Sequence, residues 1–414
     1  MLKMRKMKDS GIEWIGMIPE GWEVCRLKNI VACHDELRKP ISADKRENHL
    51  KLYDYYGASG VIDTIDDYNV DGTVLLIGED GANLKLRNLP LIYRASGKFW
   101  VNNHAHILIV NKKHSYDYVA YLLEAGDYSN YITGSAQPKL SQFNLMRFPV
   151  AIPNYTEQEN ISFFIHRECS KIDSILSETR SSIEEYKKLK QAVITQAVTK
   201  GVRGEQKMKD SGVEWIGKVP SKWNCIKIKY LFEIRKRIAG KEGYTVLSIT
   251  QTGIKPKNIS SNEGQLADSY SNYQLLHFGE FAMNHMDLLT GWVDISNYNG
   301  VTSPDYRVFS LKDTITNHPR YFLYLMQMCY FNRIFYSMAQ GVSSLGRWRL
   351  QSDKFLNCIF PVPSIEEQKE ISAYLDTTCS EIDKLIAKKE QLVKELESYK
   401  KSLIYEVVTG KREV

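Results

Sequence analysis

Two stretches of the chain repeat apolar residues with the 3.5-residue period of a coiled-coil helix. In both, a helix-capping residue that follows a proline (Asn154 or Ser364) precedes a glutamate three positions later, in the pattern of a capping box. Charged residues flank the apolar positions of the second stretch. The pattern therefore predicts two long helices. Their predicted seam positions are Ile172, Ile175, Ile183, Tyr186, Leu189 and Val193 in the first helix, and Ile382, Leu385, Leu392, Leu396, Tyr399 and Leu403 in the second.

The length of these helices indicates how they are buried. The first runs from Tyr155 to Lys200, which gives roughly 70 Å at 1.5 Å per residue. A helix of that length exceeds a compact domain, so its apolar seam needs a partner. Because the chain contains two such helices, we expect them to pair as an antiparallel coiled coil. Gly201 and Gly410 are suitable residues for ending them.

The remaining segments mix strand-like and helical patterns. Runs of apolar residues at Val74–Ile77 and His106–Val110 predict strands, and turn residues such as Asp80-Gly81 separate them. Helical patterns cover Tyr116–Ala125 and Pro319–Tyr336. These segments are therefore expected to form mixed α/β (α+β) globular domains.

An internal repeat organises the whole chain. Met7–Gly16 recurs at Met208–Gly217 with nine of ten residues identical, and Ile152–Gln158 is matched by Val362–Gln368. Residues between the matching parts, 30–147 and 231–357, are dissimilar. We therefore predict a pseudo-twofold molecule with two globular domains separated by the helix pair. The predicted segments are residues 1–153 (first domain), 154–203 (first long helix), 204–362 (second domain) and 363–414 (second long helix).

Composition excludes several classes of protein. The chain has 414 residues, 43% of them hydrophobic and 25% charged, which is typical of globular proteins and excludes disordered or fibrous ones. Its formal net charge of +6 does not by itself identify a partner. No secretory signal follows the basic start, and no apolar run reaches the ~20 residues of a membrane span. With seven scattered cysteines and no Cys-x-x-Cys pair, a cytoplasmic location without membrane attachment is expected.

Two short motifs contain residue types that bind metals. They are Cys33-His34-Asp35 and His104-x-His106. Neither has a second ligand pair at a recognisable spacing, so an ordinary loop or polar strand end is favoured over a metal site. We expect no metal in this chain.

Common catalytic motifs are absent from the sequence. No Pro-Pro pair occurs, which excludes the signature of amino methyltransferases. None of the four Gly-Lys pairs continues into Ser or Thr as in a phosphate-binding P-loop. The one Pro-Asp, at Pro304, pairs only with an acidic-x-Lys motif at Glu367, which begins the second long helix. The sequence therefore predicts a non-catalytic protein.

Loops rich in hydrogen-bond donors suggest contact with nucleic acid. Residues 133–141 precede the first long helix, and residues 340–349 lie at the corresponding place before the second. Gln pairs bidentately with adenine and Arg with guanine, whereas Lys and Ser suit phosphates. Either loop alone would be an ordinary surface turn; their equivalent placement supports a function. The candidate DNA-binding residues are Lys85, Arg87, Ser135, Gln137, Lys139, Ser141, Ser343, Ser344, Arg347 and Arg349.

These features together resemble the specificity (S) subunits of type I restriction-modification systems, over essentially the whole chain. Three paired motifs carry the resemblance. They are the Lys-Asp-Ser-Gly-x-Glu-Trp-Ile-Gly openings at Lys8 and Lys209, the Pro-x-x-x-Glu-Gln helix starts at Pro153 and Pro363, and the Val-Thr helix ends at Val198 and Val408.

The resemblance implies an arrangement and a set of partners. Two target-recognition domains would each read one half of a split double-stranded DNA site, and the first opening would take at one end the place that Met208 takes in the other half. The helices would set the spacer and dock adenine methyltransferase subunits, which recruit restriction/translocase subunits. The residues expected to pair the helices or dock partners are Ile172, Ile183, Tyr186, Val193, Ile382, Leu392, Leu396 and Leu403. S-adenosylmethionine, ATP and Mg²⁺ would belong to the partner subunits, with no cofactor in this chain.

Two other classes of protein remain as alternatives. An adaptor would use the coiled coil as its functional surface and bind proteins through its globular domains. A self-contained DNA-modifying enzyme would need the catalytic motifs that the sequence lacks. Affinity for nucleic acid separates the adaptor from the specificity subunit.

Overall fold

The computed structural model describes residues 5–46, 52–259, 267–339 and 348–414. It consists of two compact units, one formed by Met1–Thr179 with Gln391–Val414, the other by Arg180–Glu390. Both predicted long helices contribute residues to both units. The compact units therefore divide the chain differently from the predicted segments, because each unit contains one globular domain together with parts of both helices.

The first unit is built on a six-stranded sheet. The order of the strands in the sheet is β4-β9-β7-β8-β5-β6, with antiparallel pairing except between β5 and β8. The strands of the whole first unit are β1 Met7–Asp9, β2 Met17–Pro19, β3 Glu23–Arg26, β4 Val31–Cys33, β5 Tyr53–Gly57, β6 Gly60–Ile65, β7 Val70–Gly78, β8 Ile92–Val101, β9 Ala105–Val110 and β10 Pro149–Ile152. Its helices are α1 Ala43–Arg46, α2 Asn83–Leu86, α3 Tyr116–Ala125, α4 Gln142–Met146 and the first part of α5 Tyr155–Lys200.

Alternation along β7 explains how both faces of this sheet are buried. Leu75 and Ile77 belong to the core that contains α3, whereas Val74 and Leu76 pack with Phe99 on the opposite face. The predicted helix Tyr116–Ala125 is confirmed as α3, with Ser115 capping its first turn.

The second unit has a smaller central sheet. Four strands pair in the order β14-β21-β18-β19, and the remaining strands form two-stranded sheets. Its strands are β11 Met208–Asp210, β12 Lys218–Pro220, β13 Asn224–Lys227, β14 Phe232–Arg235, β15 Leu247–Thr250, β16 Gly253–Pro256, β17 Gln274–Leu276, β18 Phe281–Met283, β19 Val293–Ile295, β20 Gly300–Thr302, β21 Arg307–Leu311 and β22 Ile359–Val362. Its helices are α6 Ile228–Leu231, α7 Pro319–Phe331, α8 Ile334–Ser337, α9 Ser352–Asn357 and the first part of α10 Ile365–Val408.

The helical pattern predicted at Pro319–Tyr336 is divided in two. The first helix ends at Phe331, and Arg333 then adopts a left-handed conformation with φ of 56° before α8 begins. A side chain in that region of φ interrupts a right-handed helix. The apolar periodicity continues across the break, which is why the sequence pattern did not reveal it.

The two long helices run antiparallel within each unit. In the first unit, Lys400 Nζ lies 2.6 Å from the carboxylate of Asp173. In the second, Lys190 Nζ lies 2.7 Å from the carboxylate of Asp383. The internal repeat relates the two pairs, because Asp173 corresponds to Asp383 and Lys190 to Lys400.

The seam of the helix pair follows a strict alternation of three- and four-residue steps. Its members are buried or half-buried. On α5 they are Cys169, Ile172, Leu176, Thr179, Ile183, Tyr186, Lys190, Val193 and Ala197; on α10 they are Cys379, Ile382, Ile386, Lys389, Val393, Leu396, Lys400, Leu403 and Val407.

The predicted seam position of Leu392 is wrong. Its side chain is 40% exposed, and Val393 occupies the seam instead. The predicted seam residues Ile175, Leu189, Leu385 and Tyr399 are exposed too. Lysines hold several true seam positions, since a lysine stem can cover apolar surface while its ammonium reaches solvent. A seam assigned from apolar residues alone therefore omits these lysines.

Each end of the helix pair is held by an opening segment of the repeat. In the first unit, the segment of β1 and β2 packs at the end of α10, where a Cβ on Gly410 would lie 2.4 Å from Pro19. In the second unit, Trp223 of the repeated opening packs in the core with Val198 at the end of α5. The first opening thus packs at the end of α10 as the repeated opening packs at the end of α5, which agrees with the expectation that it takes the place that Met208 takes in the other half.

The capping boxes predicted at the helix starts form only in part. The Glu157 backbone N–H donates to Asn154, and that of Glu367 donates to Ser364. The Glu157 carboxylate, however, accepts a hydrogen bond from Trp22 Nε1 at 3.1 Å.

Within the described ranges, no helix has an apolar stretch long enough to cross a membrane.

Candidate nucleic-acid interface

The donor-rich loop of the first unit, Thr133–Ser141, is a tight hairpin-like turn. Thr133 and Lys139 exchange two backbone hydrogen bonds of 2.8 Å. Gly134 has a φ of 82°, and a Cβ there would lie 2.3 Å from the Gln137 carbonyl oxygen, so only glycine fits. The turn therefore leaves Ser135 and Gln137 exposed at its tip.

The base of this loop is attached to the end of strand β7. Leu140 N–H donates to Glu79 O at 2.7 Å, and Gly81 N–H donates to Pro138 O at 3.0 Å. Lys139 remains exposed, with its Nζ 3.0 Å from the Glu79 carboxylate. Ser141 caps helix α4 by accepting from Asn144 N–H, so its hydroxyl already has a structural role.

The basic pair Lys85 and Arg87 does not act as one patch. Lys85 is exposed and points toward the loop, with its Nζ 3.4 Å from Gly134 O. Arg87 instead donates to the carbonyl oxygens of Glu124 and Gly126 at the C-terminal end of α3, and its own φ is 53°. The guanidinium of Arg87 therefore stabilises a helix end, which a sequence pattern of two basic residues does not reveal.

A buried charge network supports the loop from below. His106 is fully buried, with Nδ1 2.6 Å from Asp35 and Nε2 2.8 Å from the carbonyl oxygen of Leu140. Arg38 bridges the carboxylates of Asp35 and Glu79. Both ring nitrogens of His106 therefore lie within hydrogen-bonding distance of an oxygen atom. The network therefore connects strand β9 to Leu140, the residue directly before the α4 cap Ser141.

The charges of this network lower the pKa of its carboxyl groups. Burial opposes ionisation of Asp35, but the hydrogen bond from His106 and the charges of His106 and Arg38 outweigh it and lower the Asp35 pKa. Burial likewise opposes ionisation of Glu79, and Arg38 and Lys139 more than compensate, so that its pKa is lowered. Both side chains therefore remain carboxylates at neutral pH.

The sequence motif at Cys33 and the histidine pair converge only in part. Cys33, Asp35 and His106 place a thiol, a carboxylate and an imidazole within 4.8 Å of one another, whereas His104 pairs separately with Asp80 at 2.8 Å. Burial, followed by the charge of Asp35, raises the pKa of the Cys33 thiol to about 12. Zinc binds the thiolate, and both nitrogens of His106 are engaged, so the group favours hydrogen bonding over metal coordination. The absence of a metal in this chain stays a prediction.

In the second unit only one of the four candidate residues can be placed. Ser343, Ser344 and Arg347 lie outside the described residues; Arg349 is exposed. Directly after Arg349, Leu350 N–H donates to His285 O at 3.0 Å, and Leu350 O accepts from the buried Arg307 at 2.9 Å. The described part of this site is thus attached to β21, as the loop of the first unit is attached to β7.

The surroundings of His285 contrast with those of His106. His285 is 6% exposed, and its Nδ1 has no hydrogen-bond partner among the described residues. Burial and the nearby positive charges of Arg307 and Arg349 lower its pKa to about 3. His285 is therefore neutral at physiological pH.

Several residues of these surroundings carried no signal in the sequence. Asp35 and Arg38 are only three residues apart, but Glu79 and His106 are distant from them along the chain and join them only in the fold. The His104-x-His106 alternation was a signal, but it indicated only a strand end. Arg307 lies within an ordinary strand pattern.

Comparisons with known proteins agree with this fold. The family model described as "Type I restriction modification DNA specificity domain" matches residues 19–185 and again residues 220–395. A putative type I restriction enzyme specificity subunit of Haemophilus influenzae is 31% identical over 124 residues, which are 30% of this chain and 31% of that protein. The type I restriction enzyme MjaVIII specificity subunit of Methanocaldococcus jannaschii is 22% identical over 292 residues, which are 67% of this chain and 65% of that protein. The chain thus spans between about a third and two thirds of the length of these curated relatives.

Solved structures show the same fold at low sequence identity. A chain from a study of complex assembly and conformational transition of the type I R-M system has a TM-score of 0.67 at 11% identity, covering 95% of this chain and 99% of that one. The HsdS subunit from Thermoanaerobacter tengcongensis has a TM-score of 0.50 at 12% identity, covering 95% and 98%. Because the family model matches both halves and most of the sequence, this chain belongs to the family of type I restriction-modification DNA specificity domains, of which it carries two.

Proposed function

We propose that the chain is the non-catalytic DNA-recognition subunit of a type I restriction-modification complex, and that each unit reads one half of a split duplex target. The observation that carries this proposal is the repetition of one frame around two dissimilar domains. The tyrosines of α3 and α7, Tyr118 and Tyr321, each donate to two carbonyl oxygens at equivalent positions of the repeat. A shared frame with different contents suits a protein that reads two different sequences in the same way.

The exposed tip of the first loop suits base reading. Ser135 and Gln137 project from a backbone that the Glu79 and His106 contacts hold in place. A glutamine held in this way can pair bidentately with adenine, and Lys139 and Lys85 can contact phosphates next to it. Arg349 has the corresponding place in the second unit.

The helix pair would act as the spacer between the half-sites. When both modules are connected, the second binding event is intramolecular, so a target with the wrong gap loses the contribution of one module. Phosphate contacts make such binding dependent on salt.

Exposed apolar residues on the outside of the long helices would dock the adenine methyltransferase subunits. These exposed residues include two pairs that are equivalent in the repeat, Ile175 with Leu385 and Leu189 with Tyr399, which suits two copies of one partner. They are Ile175 and Leu189 on α5, and Leu385, Leu392 and Tyr399 on α10, each 40–49% exposed. The buried seam residues are already occupied by the helix pairing.

The partners would supply the chemistry of the complex in the cytoplasm. S-adenosylmethionine would bind to the methyltransferase subunits, and ATP and Mg²⁺ to the methyltransferase-associated restriction/translocase subunits. This chain would contribute the DNA sequence and the spacing at which they act.

The test is to co-express the chain with its cognate methyltransferase subunit in a methylation-free host and map N6-methyladenine by single-molecule sequencing. A split motif with a fixed gap is expected. A stable complex with an active methyltransferase that yields no such motif would contradict the proposal and favour an adaptor.

A further inference from the structure

An open pocket of about 540 Å³ in the first unit is lined partly by residues that directly follow the donor-rich loop in the chain. It combines three cations with an amide and two apolar side chains, and no acidic residue lines it. The lining residues are Arg26, Lys28, Gln142, Phe143, Met146 and Arg147.

The cations of this pocket have no counter-charge in the described part of the chain. Arg26, Lys28 and Arg147 are exposed, and none of them forms an ion pair there. The Arg147 guanidinium lies over the ring of Phe143, with 4.9 Å from its carbon to the ring centroid. The Phe143 ring is itself 66% exposed. A surface with unmatched positive charge around an exposed aromatic ring suits an anionic ligand that also offers apolar surface.

The pocket is joined to the loop proposed for base reading through helix α4. Helix α4, which supplies half of the lining, begins at Gln142, directly after Ser141 caps it. The loop residues Ser135 and Gln137 and the pocket residue Arg147 thus lie within 13 positions of the chain.

The internal repeat keeps part of this charge in the other half. Arg26 and Lys28 correspond to Lys227 and Lys229. Each pair flanks a buried residue whose backbone N–H donates to the carbonyl oxygen of the residue directly before the neighbouring strand. The helix that completes the pocket differs, since Asp353 stands where the first half has Phe143, and Asn357 where it has Arg147. Two basic positions are thus common to both halves, and the full pocket belongs to the first.

We propose that this pocket binds the phosphodiester backbone of duplex DNA beside the half-site read by the first unit. The proposal rests on the proposed function. Arg26, Lys28 and Arg147 contact phosphates, and Phe143 and Met146 pack against the deoxyribose between them. These contacts are independent of base sequence and add affinity without changing the motif.

The test compares two charge-matched double variants, each in complex with the cognate methyltransferase subunits. Arg26→Gln/Arg147→Gln removes two pocket charges; Lys112→Gln/Lys113→Gln removes two exposed charges elsewhere in the same unit. Fluorescence anisotropy between 50 and 250 mM salt measures binding to a duplex with the split target and to a scrambled duplex. Each lost phosphate contact reduces the magnitude of the slope of log K against log salt by about 0.9. For the pocket variant, the magnitude of this slope is therefore expected to be smaller by about 2 on both duplexes.

Two further measurements separate the possible outcomes. Arg26→Lys/Arg147→Lys keeps the charges and is expected to restore most of the slope, and hydroxyl-radical footprinting should show lost protection beside the first half-site alone. Equal slopes for the pocket and control variants would overturn the proposal. So would loss of methyltransferase assembly in the pocket variant, which would assign the pocket to an acidic protein surface. A wild-type complex that does not distinguish target from scrambled duplex would instead contradict the proposed function.

Discussion

The two halves of the chain agree closely where they hold the long helices and differ in their sheets. Tyr118 Oη donates to Ala151 O and Val408 O, both at 3.2 Å. Tyr321 Oη donates to the equivalent carbonyl oxygens of Pro361, at 2.8 Å, and Val198, at 3.2 Å. The sheets beyond these tyrosines have different strand numbers and orders.

The glutamine after each helix start shows the same agreement. Gln158 accepts from the backbone N–H of Ser115, and Gln368 from that of His318. Each glutamine also donates to the carbonyl oxygen of the proline five residues before it. These two contacts of a buried polar side chain recur in both halves and are therefore specified by the repeat, whereas the sheets of the two units differ.

One frame contact differs between the halves. Trp22 donates to Glu157, but the equivalent Trp223 Nε1 and Glu367 Oε1 are buried without hydrogen-bond partners among the described residues. The repeat in sequence therefore does not guarantee the same hydrogen bond. The largest differences, however, lie in the sheets of the two units.

Exchange of residues 30–147 for the matching segment of another specificity domain should replace one half of the methylated motif completely. The other half and the gap should stay the same, because the second unit, both opening segments and both long helices lie outside the exchanged segment. Methylation mapping of the hybrid complex measures this. A change in both halves would mean that the units do not read DNA independently.

Insertion of seven residues between Ser177 and Lys190, with a matching heptad at the equivalent place of α10, should lengthen the gap of the motif by about three base pairs. A heptad keeps the seam in register and adds about 10 Å to each helix at 1.5 Å per residue, against ~3.4 Å per base pair. The same methylation assay gives the result. Altered half-sites with an unchanged gap would refute the spacer role.

Ile172→Ala and Ile382→Ala should each lower the free energy of unfolding by about 2–5 kcal/mol, and by similar amounts. The two side chains are equivalent seam residues, 6% and 5% exposed. Urea unfolding followed by circular dichroism measures both variants. A large inequality would show that the two parts of the seam are not equivalent in packing.

The second unit should lose stability as the pH falls below about 6.5, through His285. Its folded pKa of about 3 lies below the unfolded value of 6.5, so between these values the unfolded chain binds the proton and stability decreases as pH falls. At about 1.4 kcal/mol per pH unit, the change from pH 6.5 to 5 is about 2 kcal/mol. Urea titrations at both pH values give the free energy of unfolding of the wild type and of His285→Gln. If that free energy changed equally with pH in both proteins, the result would argue against a neutral buried ring.

Trp22→Phe should destabilise the protein by about 1 kcal/mol more than Trp223→Phe. The first substitution removes a hydrogen bond to a carboxylate, whereas the second removes an indole N–H that has no partner in the described structure. Thermal unfolding of both variants gives the difference. If Trp223→Phe cost more, a partner of Trp223 would have to exist.

Local patterns in the sequence predicted much of the frame. The near-identical openings, the capped helix starts and helix α3 follow from residues close together in the chain, where hydrogen bonding and apolar periodicity act over a few positions. The resemblance of those motifs to specificity subunits led to the same family as the comparisons. The candidate loop Thr133–Ser141 was likewise visible as a cluster of small and donor residues.

The tertiary structure alone decided which residues of the site act together. It placed Lys389, Lys190 and Lys400 in the seam and left Leu392 outside, because burial depends on the facing helix as well as on a residue's own polarity. It also brought the His106 network under the loop. The pairing of β3 with β10 placed Arg26 beside Arg147. Such long-range contacts leave no periodic trace in a single sequence, whereas the repeat, the helices and the capping residues are local and can be read directly from it.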